Sequence, residues 1–211
     1  HSAHFTNGGD AIVVTGRRGY FYRFDLGSGA VVKVQTLQCG QSVEKSLERC
    51  VASPDGTRLA ILGGEGRVLV VCAKSLRQTG VLRANATCSA AAFSAANEHH
   101  MYTAGRGGTV YLWDVRRHGC VDQHADEGSV HGTALASSAG HYAVGSDSGV
   151  VNVYRRSTLA AGRDENGLAA GRVAKPERAL FNLTTKVSSM AFNCDGQLLA
   201  MASESLKNAV R

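Results

Sequence analysis

Along most of the chain, apolar and polar residues alternate over short runs broken by glycine-rich or polar turns. That is the pattern of half-buried strands, not of helices. The clearest run is Met101-Tyr102-Thr103-Ala104-Gly105-Arg106-Gly107-Gly108-Thr109-Val110-Tyr111-Leu112-Trp113-Asp114-Val115. It predicts a strand, a tight turn and a second strand, with Val110, Leu112 and Asp114 facing one way and Tyr111, Trp113 and Val115 the other. The turn glycines take positive φ without a Cβ clash. The unit recurs. The glycine before the second arm falls at Gly19, Gly66, Gly108 and Gly149, at intervals of 47, 42 and 41 residues. A second landmark lies upstream of most copies: Phe5-Thr6-Asn7-Gly8-Gly9-Asp10, Val51-Ala52-Ser53-Pro54-Asp55-Gly56, Phe93-Ser94-Ala95-Ala96-Asn97 and Phe192-Asn193-Cys194-Asp195-Gly196. In Pro-Asp-Gly the Pro fixes φ, the Asp bonds its own backbone and the Gly takes the left-handed position.

Two landmarks in register at roughly 40–45 residues are the signature of propeller blades, and Trp113-Asp114 is the dipeptide that names WD40 repeats. A β-sandwich does not demand this fixed spacing. The predicted fold is all-β: a WD40-type β-propeller, about four and a half blades in this chain, part of a larger closed propeller. Residues 1–211 read as one partial propeller domain, with approximate blades at 1–34, 50–82, 88–124, 130–183 and 187–211, the last truncated. Residues 35–48 read as a polar connection. From Gly149 to Asn208, the matching point of the fifth copy, the interval is 59 residues. An insert at 155–178 accounts for the excess. It holds six Arg/Lys, three Asp/Glu and few large apolar residues, and reads as a flexible, solvated excursion unable to order itself. Its functional reading is a basic tether for RNA or a partner. The chain starts and stops inside blades, so the fragment alone is expected to expose two raw blade edges and to aggregate or open.

Composition narrows the functional classes. With 25 Gly, 2 Pro and 44% hydrophobic residues, the chain suits a turn-rich all-β fold with a real core. No apolar run reaches membrane-spanning length, and no membrane partner is expected. Cys39, Cys50, Cys72, Cys88, Cys120 and Cys194 form no Cys-x-x-Cys pair and read as reduced core residues of an intracellular protein. The eight His are scattered, His99-His100 reads as a solvated turn, and no metal site is expected. Asn85-Ala86-Thr87 and Asn182-Leu183-Thr184 read as chance matches to the glycosylation pattern. No Ser/His/Asp or Cys/His constellation stands out. Gly63-Gly64-Glu65-Gly66 and Gly105-Arg106-Gly107-Gly108 lack the Lys-Ser/Thr end of a phosphate loop. The reading is therefore a protein that is not an enzyme, with no catalytic residues, no cofactor and no small-molecule substrate.

The net charge of +6 fits a polyanionic partner, and equally a solubility charge. In a four-stranded antiparallel blade the turns alternate between two faces. Arg17, Arg18 and Arg106 fall on second-to-third-strand turns. Arg116, Arg117, Arg155 and Arg156 fall at third-to-fourth-strand turns, on blades adjacent in sequence. These seven are the RNA-contact candidates, through phosphates. No interleaved aromatics mark base stacking.

Beyond the generic repeat, several stretches resemble the U3 small nucleolar RNA-associated protein 18 family. They are Asp126-Glu127-Gly128-Ser129, Gly149-Val150-Val151-Asn152-Val153-Tyr154, Lys175-Pro176, Ala179-Leu180-Phe181-Asn182-Leu183-Thr184-Thr185, and Ala202-Ser203-Glu204 with Lys207 and Ala209-Val210-Arg211. The likeness is densest from Gly105 to Arg211; it is weaker in the first blade and lapses at residues 155–178. It implies a non-catalytic scaffold subunit of the small-subunit processome, in the nucleus and nucleolus. Its partners would be other propeller and helical-repeat subunits, U3 snoRNA and pre-rRNA, and its role early maturation of 18S rRNA and the 40S subunit. The alternative is a WD40 adaptor of another complex, such as a ubiquitin-ligase substrate receptor, since the fold serves both.

Overall fold

The computed structural model describes residues 2–35, 37–39, 42–160, 163–164, 167–168, 172–205 and 210. Four sheets carry most of it, each built on four antiparallel strands, with a further hairpin after them. Blade one comprises Ser2–Thr6, Ala11–Thr15, Tyr20–Asp25 and Val31–Gln35. Blade two comprises Arg49–Ala52, Arg58–Leu62, Arg67–Cys72 and Gln78–Arg83. Blade three comprises Cys88–Phe93, His100–Gly105, Thr109–Asp114 and Gly119–Asp126, and blade four Gly132–Ser137, His141–Ser146, Val151–Arg155 and Arg178–Leu180. Ser189–Phe192 pairs with Leu199–Ala202 in the last hairpin. The chain divides into two compact units, His1–Cys88 and Ser89–Arg211.

In the first unit, Val13 and Phe21 of blade one share a core with Leu59, Ile61, Leu69 and Val71 of blade two. The connection at 35–48 is not simply polar, because Leu37 and Leu47 are buried in that core. Two apolar side chains anchor a segment whose other residues are mostly hydrophilic. The opposite face of blade one is apolar and exposed. Register places Phe5, Ile12, Phe24 and Val31 in one cross-strand row and Ala3, Val14, Tyr22 and Lys33 in the next. Phe5, Val14, Tyr22, Phe24 and Val31 of these rows are all solvent-exposed.

In the second unit the third strands are buried on both faces. Val110 and Leu112 join Tyr102, Leu135, Tyr142, Val144 and Tyr154 in one core. On the other face the buried Trp113 donates its indole N–H to Thr103 Oγ1 at 2.8 Å and stacks on Tyr111. A bond of this kind contributes about 1 kcal/mol, and leaving the indole N–H unpaired would cost more.

The four landmark glycines share a job that turn geometry alone does not explain. After each fourth strand the chain crosses back over the second-to-third-strand turn of its own blade, bonded there by Leu47 N–H to Gly16 O, Ala84 N–H to Gly66 O, Asp126 N–H to Gly108 O and Val187 N–H to Ser146 O. A Cβ at Gly19 would lie 2.6 Å from Glu44 O, one at Gly66 2.5 Å from Ala84 O and one at Gly149 2.5 Å from Leu183 O; at Gly108 it would overlap Ser129 O. Gly66, Gly108 and Gly149 also have positive φ, but Gly19 does not. Close approach of two backbones is therefore the common requirement.

Residues 155–178 depart from the flexible reading at their C-terminal arm. Val173–Ala174 pairs in parallel with Ala125 and Asp126, adding a fifth strand to the outer edge of blade three. Ala174 is buried in the core, and the Arg172 guanidinium lies 3.2 Å from the buried Asp122 carboxylate while donating to Thr158 O. One small apolar residue and one ion pair order this arm without the large hydrophobic surface that the composition reading required. Calls on residues 161–162, 165–166 and 169–171 lie outside the described residues. The cysteine reading is corrected at one position: Cys50 and Cys88 are buried and Cys72 and Cys120 half-buried, but Cys194 is exposed in a turn. His100 likewise opens a strand and is half-buried, not a solvated turn residue.

Candidate nucleic-acid interface

The position six residues after each landmark glycine closes the third strand. It holds Asp25, Cys72, Asp114 and Arg155 in blades one to four. In blade one, Asp25 Oδ1 accepts the Ser28 N–H and hydroxyl at 2.9 and 2.7 Å, which keep its carboxyl below the usual range. In blade three, Asp114 Oδ1 accepts the N–H groups of Arg116 and Arg117 at 2.9 and 3.2 Å. Burial raises the Asp114 pKa, but these donors and the two guanidinium groups outweigh it and the carboxyl ends below its ordinary value. In blade two the Ser75 hydroxyl, then its N–H, bond the Cys72 sulfur and lower its pKa. Each of these groups accepts hydrogen bonds from the tight turn that follows it. Arg155 has no acceptor to offer, and there the chain leaves on its long excursion before the fourth strand begins at Arg178.

The sequence candidates at this end are exposed. Arg116 and Arg117 flank Asp114, with guanidinium nitrogens 4.0 and 3.9 Å from Oδ2. Arg155 binds Glu177 at 2.7 Å, and His141 Nε2 lies 3.1 Å from the other Glu177 oxygen. The Arg155 hydrogen bond holds the Glu177 carboxyl below its ordinary range. Arg156 donates its backbone N–H to Gly140 O, and among the described residues its side chain has no carboxylate partner. His100 pairs across strands with Asp114, and both Asp114 and Arg156 act electrostatically on its ring. Burial remains the main reason its pKa is lowered. Gly140, His141, Arg155, Arg156, Ser157 and Glu177 line an open hollow of about 530 Å³. Three exposed guanidinium groups thus pair with the carboxylates of Asp114 and Glu177 and Arg156 adds a fourth exposed one, a surplus of positive charge suited to phosphate oxygens.

The other candidates lie apart. Arg17 pairs with Glu48 at 3.5 Å, and Arg18 stands 5.9 Å over the Tyr20 ring, both in the first unit. Arg106 forms an isolated backbone β-bridge with His131 in the second unit. Glu177, His141 and Ser157 were not among the sequence candidates; the change from an acceptor to Arg155 six residues after the landmark glycine is the mark in the sequence of where they gather.

Two stretches singled out in the sequence meet inside the second unit. Asp126, buried, accepts from the Asn152 amide at 2.9 Å and from the Tyr154 hydroxyl. Tyr154 stacks on Tyr142, which stacks on Tyr102, and His124 Nε2 lies 2.7 Å from the Tyr142 hydroxyl. Burial raises the Asp126 pKa and lowers that of His124. Asp126-Glu127-Gly128-Ser129 and Gly149-Val150-Val151-Asn152-Val153-Tyr154 are therefore two halves of one buried network joining blades three and four. Among the described residues no group of three His, Cys, Asp or Glu is placed to hold a metal ion, and no helix is long and apolar enough to cross a membrane.

No family model matches the chain. It is 37% identical over 99% of its length to the U3 small nucleolar RNA-associated protein 18 homolog of Arabidopsis thaliana. It is 34% and 33% identical, over 97%, to the homologs of the same name from Mus musculus and Homo sapiens. It spans 36%, 35% and 35% of those relatives, about a third of their length. Among solved structures, a propeller chain of the mitotic checkpoint complex matches with a TM-score of 0.73 over 95% of this chain and 56% of that one. At 18% identity that likeness shows the fold alone.

Proposed function

Since the chain belongs to the U3 small nucleolar RNA-associated protein 18 family, we propose that it is a WD40 propeller segment of a non-catalytic scaffold in the U3 small nucleolar ribonucleoprotein. In this reading it works in the nucleolus, in pre-rRNA processing toward 18S rRNA and the 40S subunit. Its partners are U3 snoRNA, pre-rRNA and other propeller and helical-repeat subunits of the small-subunit processome. The observation that carries the reading is sequence similarity over nearly the whole chain to relatives of that name. The exposed arginines at the third-to-fourth-strand end of blades three and four support direct contact with RNA phosphates, which need positive charge but no base-specific geometry. The test is purification of the tagged full-length protein from cells under mild crosslinking, with sequencing of the RNA that comes with it. U3 and the 5′ part of the ribosomal precursor are expected, and Arg155→Glu with Arg156→Glu is expected to reduce both. Ubiquitin-ligase subunits in place of RNA would overturn the reading.

A further inference from the structure

Arg155, Arg156 and Ser157 are consecutive and all exposed. Ser157 opens the four-residue helical turn Ser157–Ala160, which is too short to hold itself together in isolation. It lines the same hollow as both arginines, His141 and Glu177. Arginine-directed protein kinases select a hydroxyl by setting their own carboxylates against guanidinium groups shortly before it in an extended segment, and Arg155 and Arg156 stand two and one residues before Ser157. A short helical turn gives up that geometry at low cost. Thr158, which the same arginines precede by three and two residues, is half-buried and anchored by its carbonyl to Arg172, whereas Ser157 is exposed and is the more accessible hydroxyl of the two.

We propose that Ser157 is a phosphoacceptor for an arginine-directed serine/threonine kinase, and that its phosphate closes the basic end of blade four to RNA. In the transfer an O–P bond forms between Ser157 Oγ and the γ-phosphorus of ATP. The bond from that phosphorus to the β,γ-bridging oxygen breaks, the hydroxyl proton passes to the kinase's base, and ADP leaves. The product carries a charge of about −1.5 to −2 and three acceptor oxygens. It meets Arg156, which lacks a carboxylate partner among the described residues, and Arg155, which pairs with the single charge of Glu177. Charge-assisted and bidentate bonds to the phosphate draw both guanidinium groups inward. RNA phosphates then lose two contacts. The regulatory half of the proposal rests on the RNA reading above, but the assignment of the acceptor does not.

The experiment treats the full-length protein with ATP and the catalytic subunit of the cAMP-dependent kinase, maps phosphate by mass spectrometry, and titrates binding of a single-stranded RNA oligonucleotide against salt. Ser157→Ala, Thr158→Ala and the Arg155→Glu, Arg156→Glu variant run alongside. Phosphate is expected on Ser157, lost in Ser157→Ala and kept in Thr158→Ala. Phosphorylation is expected to weaken RNA binding on the order of tenfold or more near physiological salt and to lower the salt slope by about 2, the loss of two phosphate contacts. No phosphate on Ser157 overturns the site. Unchanged affinity and slope after phosphorylation, where the double arginine variant loses binding, overturns the switch. A double arginine variant that binds as the parent does overturns the RNA reading instead and leaves the acceptor assignment standing.

Discussion

Blades three and four differ most where their third strands end. Asp114 draws two backbone N–H groups back onto itself, and the fourth strand starts five residues later, at Gly119. Arg155 stands at the same place in blade four, and the fourth strand waits until Arg178. The comparison teaches that an acceptor at this position keeps a turn tight, whereas a cation gives the following N–H groups nothing to bond. Arg172 on Asp122 and Ala174 in the core fasten the end of the excursion to blade three. The same cation joins Arg156 in the basic hollow. One position thus separates a blade whose third strand ends in a tight turn from one whose third strand ends in a cation.

The largest effect is expected at the glycines that both blades share. Gly108→Ala and Gly149→Ala combine positive φ with overlap of a carbonyl, and each should cost more than about 2 kcal/mol in denaturant melts of the full-length protein. Gly19→Ala sharpens the point, because its φ is ordinary and only the approach to Glu44 O opposes a methyl group. A near-neutral Gly19→Ala would return the repeat to a requirement for turn flexibility. Arg172→Met should follow, at about 2 kcal/mol, since it leaves Asp122 buried without its cation. If the variant melts as the parent does, the arm does not fasten the excursion.

Asp114→Ala removes an acceptor from two turn N–H groups and should cost about 1 kcal/mol, with Arg155→Ala near zero. Equal costs would break the comparison between the two strand ends. The smallest effect is a pH dependence. Burial depresses the pKa of His124 and of His100, so the folded state favours their neutral forms. Their contribution is fully present above the ordinary value of 6.5 and is lost as pH falls below it toward the lowered folded values. The melting temperature should drop across that window, and His124→Gln should flatten the drop.

Much of the fold was legible because it is periodic. Strands at 11–15 and 20–25 and the hairpin around Gly105–Gly108 follow from alternation and turn chemistry, which act locally. Trp113 was legible, but its partner Thr103 was not, because a cross-strand bond leaves no mark along the sequence. The ordering of Val173–Ala174 was hidden for a related reason: composition measures what a segment buries by itself, and this arm borrows the edge and core of blade three. At the candidate interface the arginines could be read directly, whereas Glu177 and His141 could not. They reach Arg155 from 22 and 14 residues away in sequence, through the return of the excursion and the pairing of the second and third strands.

The account stands most directly on where RNA touches the protein. The full-length protein, assembled in cells with its RNA, is crosslinked with ultraviolet light and digested, and the peptides carrying nucleotide adducts are sequenced. Adducts clustered on the peptides flanking Arg116–Arg117 and Arg155–Arg156, and reduced by Arg155→Glu with Arg156→Glu, are the predicted result. Adducts confined to other parts of the protein, with these peptides recovered unmodified, would contradict it.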